Sequence, residues 1–232
     1  MKKQEKERIL GISIFILALT TFLVTPIRTS PTSTEPLTVV LDPGHGGADG
    51  GAIGDDGTLE KDLNLKIALL LKTKLEERGI TVLLTRTADE DTDGLTGFHK
   101  RQDLERRAAL GNESGANLYI SIHVNASPAR KDQGFQVWYG SGNIDGRLLA
   151  DKITQSVEEL KICTRIRAVK QVPETLYIFR TVKIPCVLVE CGFISNAADR
   201  YKLQQDEFQD QLCNGIRDGI LNYASGNSSE IT

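Results

Sequence analysis

Short apolar runs alternate with longer amphipathic stretches along the chain from Leu37 to about Tyr223. This alternation is typical of α/β domains, in which apolar strands form a sheet and amphipathic helices cover it. The predicted strands are 38–41, 81–85, 118–123, 135–139 and 186–190, and the predicted helices are 62–78, 101–112, 146–160 and 206–223. The fold class that follows is a single α/β domain with a mixed, mostly parallel twisted sheet and helices on both of its faces.

The helix predicted at 62–78 differs from the others because leucine and isoleucine occur nearly all round it. A helix that is apolar on every side is normally buried. We therefore expect other parts of the protein to cover it on several sides. Gly79 is expected to end this helix as a C-cap glycine.

The first 35 residues differ in composition from the rest of the chain. Four basic residues within the first eight positions precede an uncharged, largely apolar segment at 9–27. This order is typical of an export segment, and a buried core helix fits it poorly. A cleaved signal peptide and an uncleaved membrane anchor both remain open. Because no small-x-small cleavage site precedes Arg28, the sequence favours an anchor whose lysines stay inside.

The segment at 28–36 contains two prolines and five serine or threonine residues, which is typical of an extended linker. The expected organisation is an N-terminal signal or anchor segment at 1–27, this linker, a folded domain at 37–224 and a flexible tail at 225–232. The folded domain should therefore be extracytoplasmic, either held at a membrane through the N-terminal segment or secreted.

Charge and aromatic content narrow the class of partner. Beyond residue 35 the chain has 23 basic and 28 acidic residues, and 6% of the whole sequence is aromatic. Proteins that bind nucleic acid usually present basic grooves and stacking rings. The composition therefore argues against a nucleic-acid partner.

The four cysteines are Cys163, Cys186, Cys191 and Cys213. Disulfides are common in exported proteins, but these cysteines lack the spacing of a disulfide framework, and none belongs to a CxxC pair. The sequence predicts buried free thiols and gives no support for a zinc ribbon or a thioredoxin-type redox site.

Two histidines follow predicted strands. The glycine-rich segment at 42–51 lacks the spacing of either phosphate-binding template, but it carries His45 just beyond the first strand. His123 ends the strand at 118–123, and α/β sheets place ligands at the carboxyl ends of strands. Two imidazoles could share a catalytic zinc that needs a third protein ligand. Glu60 and Glu190 are the candidates for that ligand, and the other carboxylate could act as a base.

Each of these residues also has a purely structural interpretation. A lone histidine at the end of a strand often serves as a hydrogen-bonded structural residue. Glu60 could favour the positive end of a helix, and Glu190 could end its strand at the surface. His99 lies in a charged stretch and is interpreted as solvated.

Four segments together resemble the zinc-dependent N-acetylmuramoyl-L-alanine amidases of the bacterial cell wall, the amidase 3 type. The segments are LDPGHGG at 41–47, LEKDLNL at 59–65, SIHVNA at 121–126 and VLVECGFISN at 187–196. The resemblance implies an enzyme that cleaves the amide between N-acetylmuramic acid and L-alanine in peptidoglycan. It also implies that His45, Glu60 and His123 bind one Zn²⁺ and that Glu190 is the catalytic carboxylate. Cys191 departs from the small apolar residue expected there.

The short length, the N-terminal apolar segment and the stretch at 97–107 are similar to the sporulation branch of that family. This resemblance implies a role in forming spore-cortex muramic-δ-lactam, in the space between the forespore membranes, with a lipoprotein partner as in some such systems. A general division or wall-remodelling amidase is the alternative within the family. A non-catalytic peptidoglycan-binding protein is a further alternative, which the presence of all four site residues disfavours.

Overall fold

A computed structural model of the protein describes residues 36–92 and 99–227. The strands of its sheet are β1 (Thr38–Pro43), β2 (Thr81–Leu84), β3 (Leu118–Asn125), β4 (Gln136–Tyr139), β5 (Lys170–Gln171) and β6 (Cys186–Phe193). The five predicted strands correspond to β1–β4 and β6. Sequence analysis missed β5, because a strand of two residues carries too little pattern to be recognised.

The strands lie in the order β2-β1-β3-β6-β4-β5. β2, β1, β3 and β6 are parallel, β4 runs antiparallel to β6, and β5 is parallel to β4. This arrangement confirms the predicted mixed, mostly parallel sheet. The carboxyl ends of β1, β3 and β6 consequently meet at one edge of the sheet, where parallel sheets bind ligands.

Helices cover both faces of the sheet, as predicted. They are α1 (Glu60–Glu76), α2 (Lys100–Glu113), α3 (Ile144–Glu159), α4 (Tyr177–Thr181), α5 (Ala197–Leu203) and α6 (Asp206–Asn227). Val39 and Leu41 of β1 pack into a large core with α1, α3 and α6, whereas Val40 between them packs into a smaller core with α2 and α4. Alternate residues of one strand thus serve the two layers. The short helices α4 and α5 were not predicted.

Glycines in α6 allow α3 to approach closely. A Cβ atom added to Gly219 would lie 2.4 Å from the Cα atom of Ile153, and one added to Gly215 would lie 2.9 Å from Val157 Cγ2. Since side chains at positions i and i+4 lie on the same face of a helix, the two glycines form one flat contact surface. The packing of α3 against α6 therefore depends on the absence of side chains there.

The prediction that α1 is covered on several sides is wrong. Its buried leucine and isoleucine residues, Leu63, Ile67, Leu71 and Leu75, recur every four residues and form one stripe. Leu69, on another side, is 38% exposed. Among the described elements, the helix packs mainly on the sheet and α6, and its other apolar side chains remain partly open to solvent. It ends at Glu76, and Gly79 lies beyond it with φ 76°.

The predicted export segment at 1–27 and most of the linker lie outside the described residues. Within 36–92 and 99–227 no helix is both long enough and apolar enough to cross a membrane. The tail was predicted to begin at 225, but α6 continues to Asn227. Residues 228–232 again lie outside the described residues.

All four cysteines are free thiols. Three of them are buried and Cys163 is half-buried. Burial raises the pKa of Cys163 to about 12. A thiol with so high a pKa is a poor nucleophile near neutral pH, which fits a packing role.

Candidate metal centre

The loop after β1 carries His45 in a left-handed conformation, with φ 63°. Gly44 precedes it and donates from its backbone N–H to the Ile122 carbonyl at 3.0 Å, which ties the loop to β3. A Cβ atom on Gly44 would lie 2.1 Å from His123 Nε2. Glycine is therefore required at position 44 for the His123 imidazole to occupy its place.

Glu60 is the first residue of α1 and is 5% exposed. Its Oε2 accepts a hydrogen bond from the Ala52 backbone N–H at 2.9 Å. Its Oε1 accepts from the Val124 backbone N–H at 3.3 Å. These bonds fix a buried carboxylate at the carboxyl edge of the sheet.

Glu60 lies between the two histidines. Its Oε1 is 2.9 Å from His123 Nδ1 and 3.3 Å from His45 Nε2. The two imidazole rings meet edge to face with their centroids 5.0 Å apart. One ligand atom from each of His45, Glu60 and His123 lies within 4.8 Å of the others, so these three residues could hold a metal ion.

The ionisation of Glu60 and that of the neighbouring histidines depend on one another. Burial opposes ionisation of Glu60, but its bonds to His123 and His45 outweigh burial and hold its pKa well below the usual value. Burial also lowers the pKa of His45, but the hydrogen bond and charge of Glu60 raise it to about 9. A fixed carboxylate between two imidazoles attracts positive charge.

Glu190 lies on β6 directly beside His123 of β3 in the sheet register. Its Oε2 is buried and has no hydrogen-bond partner among the described residues. Burial raises the pKa of Glu190 to about 7, although the nearby His123 opposes that change. Sequence reasoning alone left open which carboxylate joins the histidines, and the structure places Glu60 between them and Glu190 on the neighbouring strand.

Asp49 was missed by sequence analysis. Its Oδ2 lies 2.9 Å from His45 Nδ1, on the side of the ring opposite Glu60. Carboxylates commonly orient metal-binding histidines in this way. The i, i+4 spacing from His45 could have indicated it, but the loop conformation that brings the two together is not apparent from the sequence. His99 is exposed just before α2 and is not part of the group.

The histidines and Glu190 open into a groove of about 410 Å³. Leu104 of α2, Leu188 of β6, and Tyr177 and Phe179 of α4 line its walls. The groove therefore combines apolar walls with a polar end at the edge of the sheet, which is typical of ligand sites. α4, which was not predicted, supplies much of one wall.

The sequence and the structure are both similar to those of known amidases. Residues 39–222 match the family Amidase_3, described as N-acetylmuramoyl-L-alanine amidase. The germination-specific N-acetylmuramoyl-L-alanine amidase of Bacillus subtilis is 37% identical over 189 residues, which cover 80% of this chain and 78% of that protein. The structure of the Clostridioides difficile CwlD amidase in complex with the GerS lipoprotein has a TM-score of 0.76 and 34% identity, covering 82% of this chain and 99% of that one. The N-acetylmuramoyl-L-alanine amidase LytC of B. subtilis is 36% identical over 188 residues, 80% of this chain but 35% of LytC.

Proposed function

The chain belongs to the N-acetylmuramoyl-L-alanine amidase family, and on this premise we propose how its groove works. The reaction is hydrolysis of the amide that joins N-acetylmuramic acid to L-alanine in peptidoglycan. We assign His45, Glu60 and His123 as ligands of one zinc ion and Glu190 as the general base. The observation that carries this assignment is the convergence of the three donor atoms within 4.8 Å, with Glu190 beside them on the next strand.

The donor set fits zinc. Two imidazoles and one carboxylate are a common ligand set for catalytic zinc, and they leave a coordination position open. When bound, zinc lowers the pKa of water to about 7 and polarises an amide carbonyl. Glu60 contributes a carboxylate that is already ionised, because its pKa is held low. Asp49 would keep His45 oriented through the opposite ring nitrogen.

Glu190 suits the role of a general base. Its buried Oε2 is not engaged by another described group, so it is available to a water molecule in the groove. A pKa of about 7 allows a carboxylate to take a proton near neutral pH and to release it again. Glu190 would take the proton from the attacking water and pass it to the departing amine of L-alanine.

Mass spectrometry of peptidoglycan fragments tests this proposal. Zinc-loaded protein should release stem peptides with a free L-alanine amino group and leave peptide-free muramic acid. Glu190→Gln should retain zinc but lose at least about 100-fold in turnover, the usual range for general acid-base catalysis. Glu113→Gln, at the exposed end of α2, is the matched control and should keep both. Near-normal turnover of Glu190→Gln with zinc retained contradicts the base role, and loss of zinc places Glu190 among the ligands.

For the biological role we propose peptide removal during formation of spore-cortex muramic-δ-lactam. The similarity to the germination-specific amidase of B. subtilis and to CwlD of C. difficile supports this role. The substrate lies outside the cytoplasmic membrane, so the protein acts there. We propose further that residues 1–27 attach it to that membrane, that 37–224 are the catalytic domain, and that a lipoprotein assists it, as the CwlD complex with GerS suggests.

A general wall amidase is the second candidate, because LytC and the probable cell wall amidase LytH of Staphylococcus aureus are also similar, LytH at 35% identity. Deleting the gene distinguishes the two roles. Spores whose cortex lacks muramic-δ-lactam and which fail to complete germination, with normal vegetative division, support the cortex role. Chains of unseparated vegetative cells with a normal cortex support the general wall amidase instead.

A further inference from the structure

Two arginine side chains are buried behind the loop that carries His45. Arg86, just beyond β2, is 2% exposed, and Arg107 of α2 is 3% exposed. Burying a guanidinium group is costly unless its N–H groups are hydrogen-bonded. Both groups donate hydrogen bonds to backbone carbonyls of the segments that hold the metal-binding group.

Arg86 connects two ligand-bearing segments. Its Nε and Nη2 donate to the carbonyls of Pro43 at 2.9 Å and Gly44 at 3.1 Å, immediately before His45. The same Nη2 donates to the carbonyl of Lys61 at 2.8 Å, immediately after Glu60. One rigid, planar group therefore sets the separation between the backbone at His45 and the backbone at Glu60.

Arg107 holds His45 itself. Its Nη2 donates to the His45 carbonyl at 2.7 Å, and its Nη1 donates to the Pro43 carbonyl at 2.9 Å. A left-handed conformation costs a non-glycine residue on the order of 1–2 kcal/mol, so it persists only where the surroundings enforce it. The bond from Arg107 is a direct contact of a buried side chain with the His45 peptide and constrains its orientation.

The two arginines differ in the charged side chains that surround them. Arg107 forms ion pairs with Asp42 at 2.8 Å and Asp103 at 2.7 Å. Arg86 forms no ion pair within 4.0 Å among the described residues, and its pKa is lowered by burial and by the like charge of Arg107. A buried cation beside another cation is unfavourable for stability alone. What Arg86 contributes is the bridge between the carbonyls.

We propose that Arg86 and Arg107 are positioning residues of the metal centre. They hold His45 and Glu60 at the separation that the three ligands require, and they thereby set the affinity for the metal. This inference rests on the proposed function, because it takes His45, Glu60 and His123 as the metal ligands. Neither arginine is one of the proposed ligands, and Arg107, which lines the inner part of the groove, is only 3% exposed.

Arg86→Lys tests the inference, because lysine keeps the charge but cannot bridge several carbonyls in a plane. Arg200→Lys is the matched control. Arg200 is also buried, at 8% exposed, and donates to a carbonyl, that of Ile194 at 2.8 Å. Its Nε pairs with the exposed-loop carboxylate of Asp56 at 3.1 Å, but it has no hydrogen bond to the backbone beside His45 or Glu60. Zinc affinity is measured by competition with a chromophoric chelator, ligand geometry by the visible spectrum of the cobalt form, and stability by unfolding of the metal-free proteins.

Arg86→Lys should bind zinc about 10- to 100-fold more weakly than Arg200→Lys and should have an altered cobalt spectrum. If Arg86→Lys does not fold by circular dichroism, Arg107→Lys, which keeps a cation beside Asp42, is compared in the same way. Equal zinc affinity and an unchanged cobalt spectrum overturn the positioning role, whatever happens to stability. Failure of the wild-type protein to bind zinc overturns the proposed function and this inference with it.

Discussion

Replacing Gly44 with alanine would put a methyl group into the space of the His123 imidazole. The added Cβ atom would lie 2.1 Å from His123 Nε2 and 2.2 Å from Cε1. Ordinary contact begins near 3.4 Å, so the ring must move by about 1.3 Å. The φ angle of Gly44 is not positive, so alanine meets no left-handed backbone strain there, and the three atoms nearest to its methyl group all belong to His123.

The expected consequence is a loss of metal affinity with little loss of fold. A displacement of about 1 Å in a catalytic group can cost about 100-fold in activity, and disturbed metal surroundings typically cost about 10- to 100-fold in affinity. We therefore expect zinc to dissociate from Gly44→Ala with a Kd about 10- to 100-fold higher, or about 1.4–2.7 kcal/mol. Chelator competition measures the Kd, and circular dichroism checks the fold.

Gly50 offers a matched control in the same glycine-rich loop. A Cβ atom there would have only Leu59 Cδ2 within 4 Å, at 3.9 Å, so Gly50→Ala should bind zinc normally. In a His123→Ala background the clash is gone, and Gly44→Ala should then have almost no further effect on affinity. Unchanged zinc binding by Gly44→Ala alone, or an equal effect in both backgrounds, would refute the reasoning.

Three further changes test the site and the fold. His123→Ala should stay soluble and lose most of its zinc, and full zinc occupancy by elemental analysis would disprove the ligand assignment. Gly219→Ala should destabilise the protein by about 1–3 kcal/mol in urea unfolding, since its methyl group meets Ile153. Gly226→Ala, with open space in the same helix, should not, and equal stability of the two variants would contradict this packing argument. Burial opposes ionisation of Asp42, but the guanidinium of Arg107 outweighs burial and holds the pKa of Asp42 below 3.8. The contribution of this carboxylate to the free energy of unfolding is therefore complete above about pH 4, and it is lost as the pH falls through the lower pKa of the folded state. Asp42→Asn should have a lower free energy of unfolding at neutral pH, and this free energy should fall less steeply than that of the wild type as the pH is lowered. Stability curves of the two proteins that run parallel between pH 2 and 7 would contradict that role.

The chain order of the main elements was predictable because it depends on local patterns. The strands β1, β3 and β6 are rich in apolar residues and almost entirely buried, as expected for strands covered on both faces. The positions of His45 and His123 just at the ends of such runs were enough to indicate a shared site, since parallel strands end at one edge. The resemblance to the amidase family then implied a role for each of the four site residues.

What the tertiary structure decided depends on contacts between residues far apart in the sequence. Asp42 and Arg107 are 65 positions apart, and no local pattern shows that they form a buried pair. The bridge that Arg86 forms between two loops, the wall that α4 adds to the groove, and the open side of α1 are of the same kind. Burial is a property of the whole packed chain, so a single segment cannot reveal which of its polar groups will be enclosed or what will bind them.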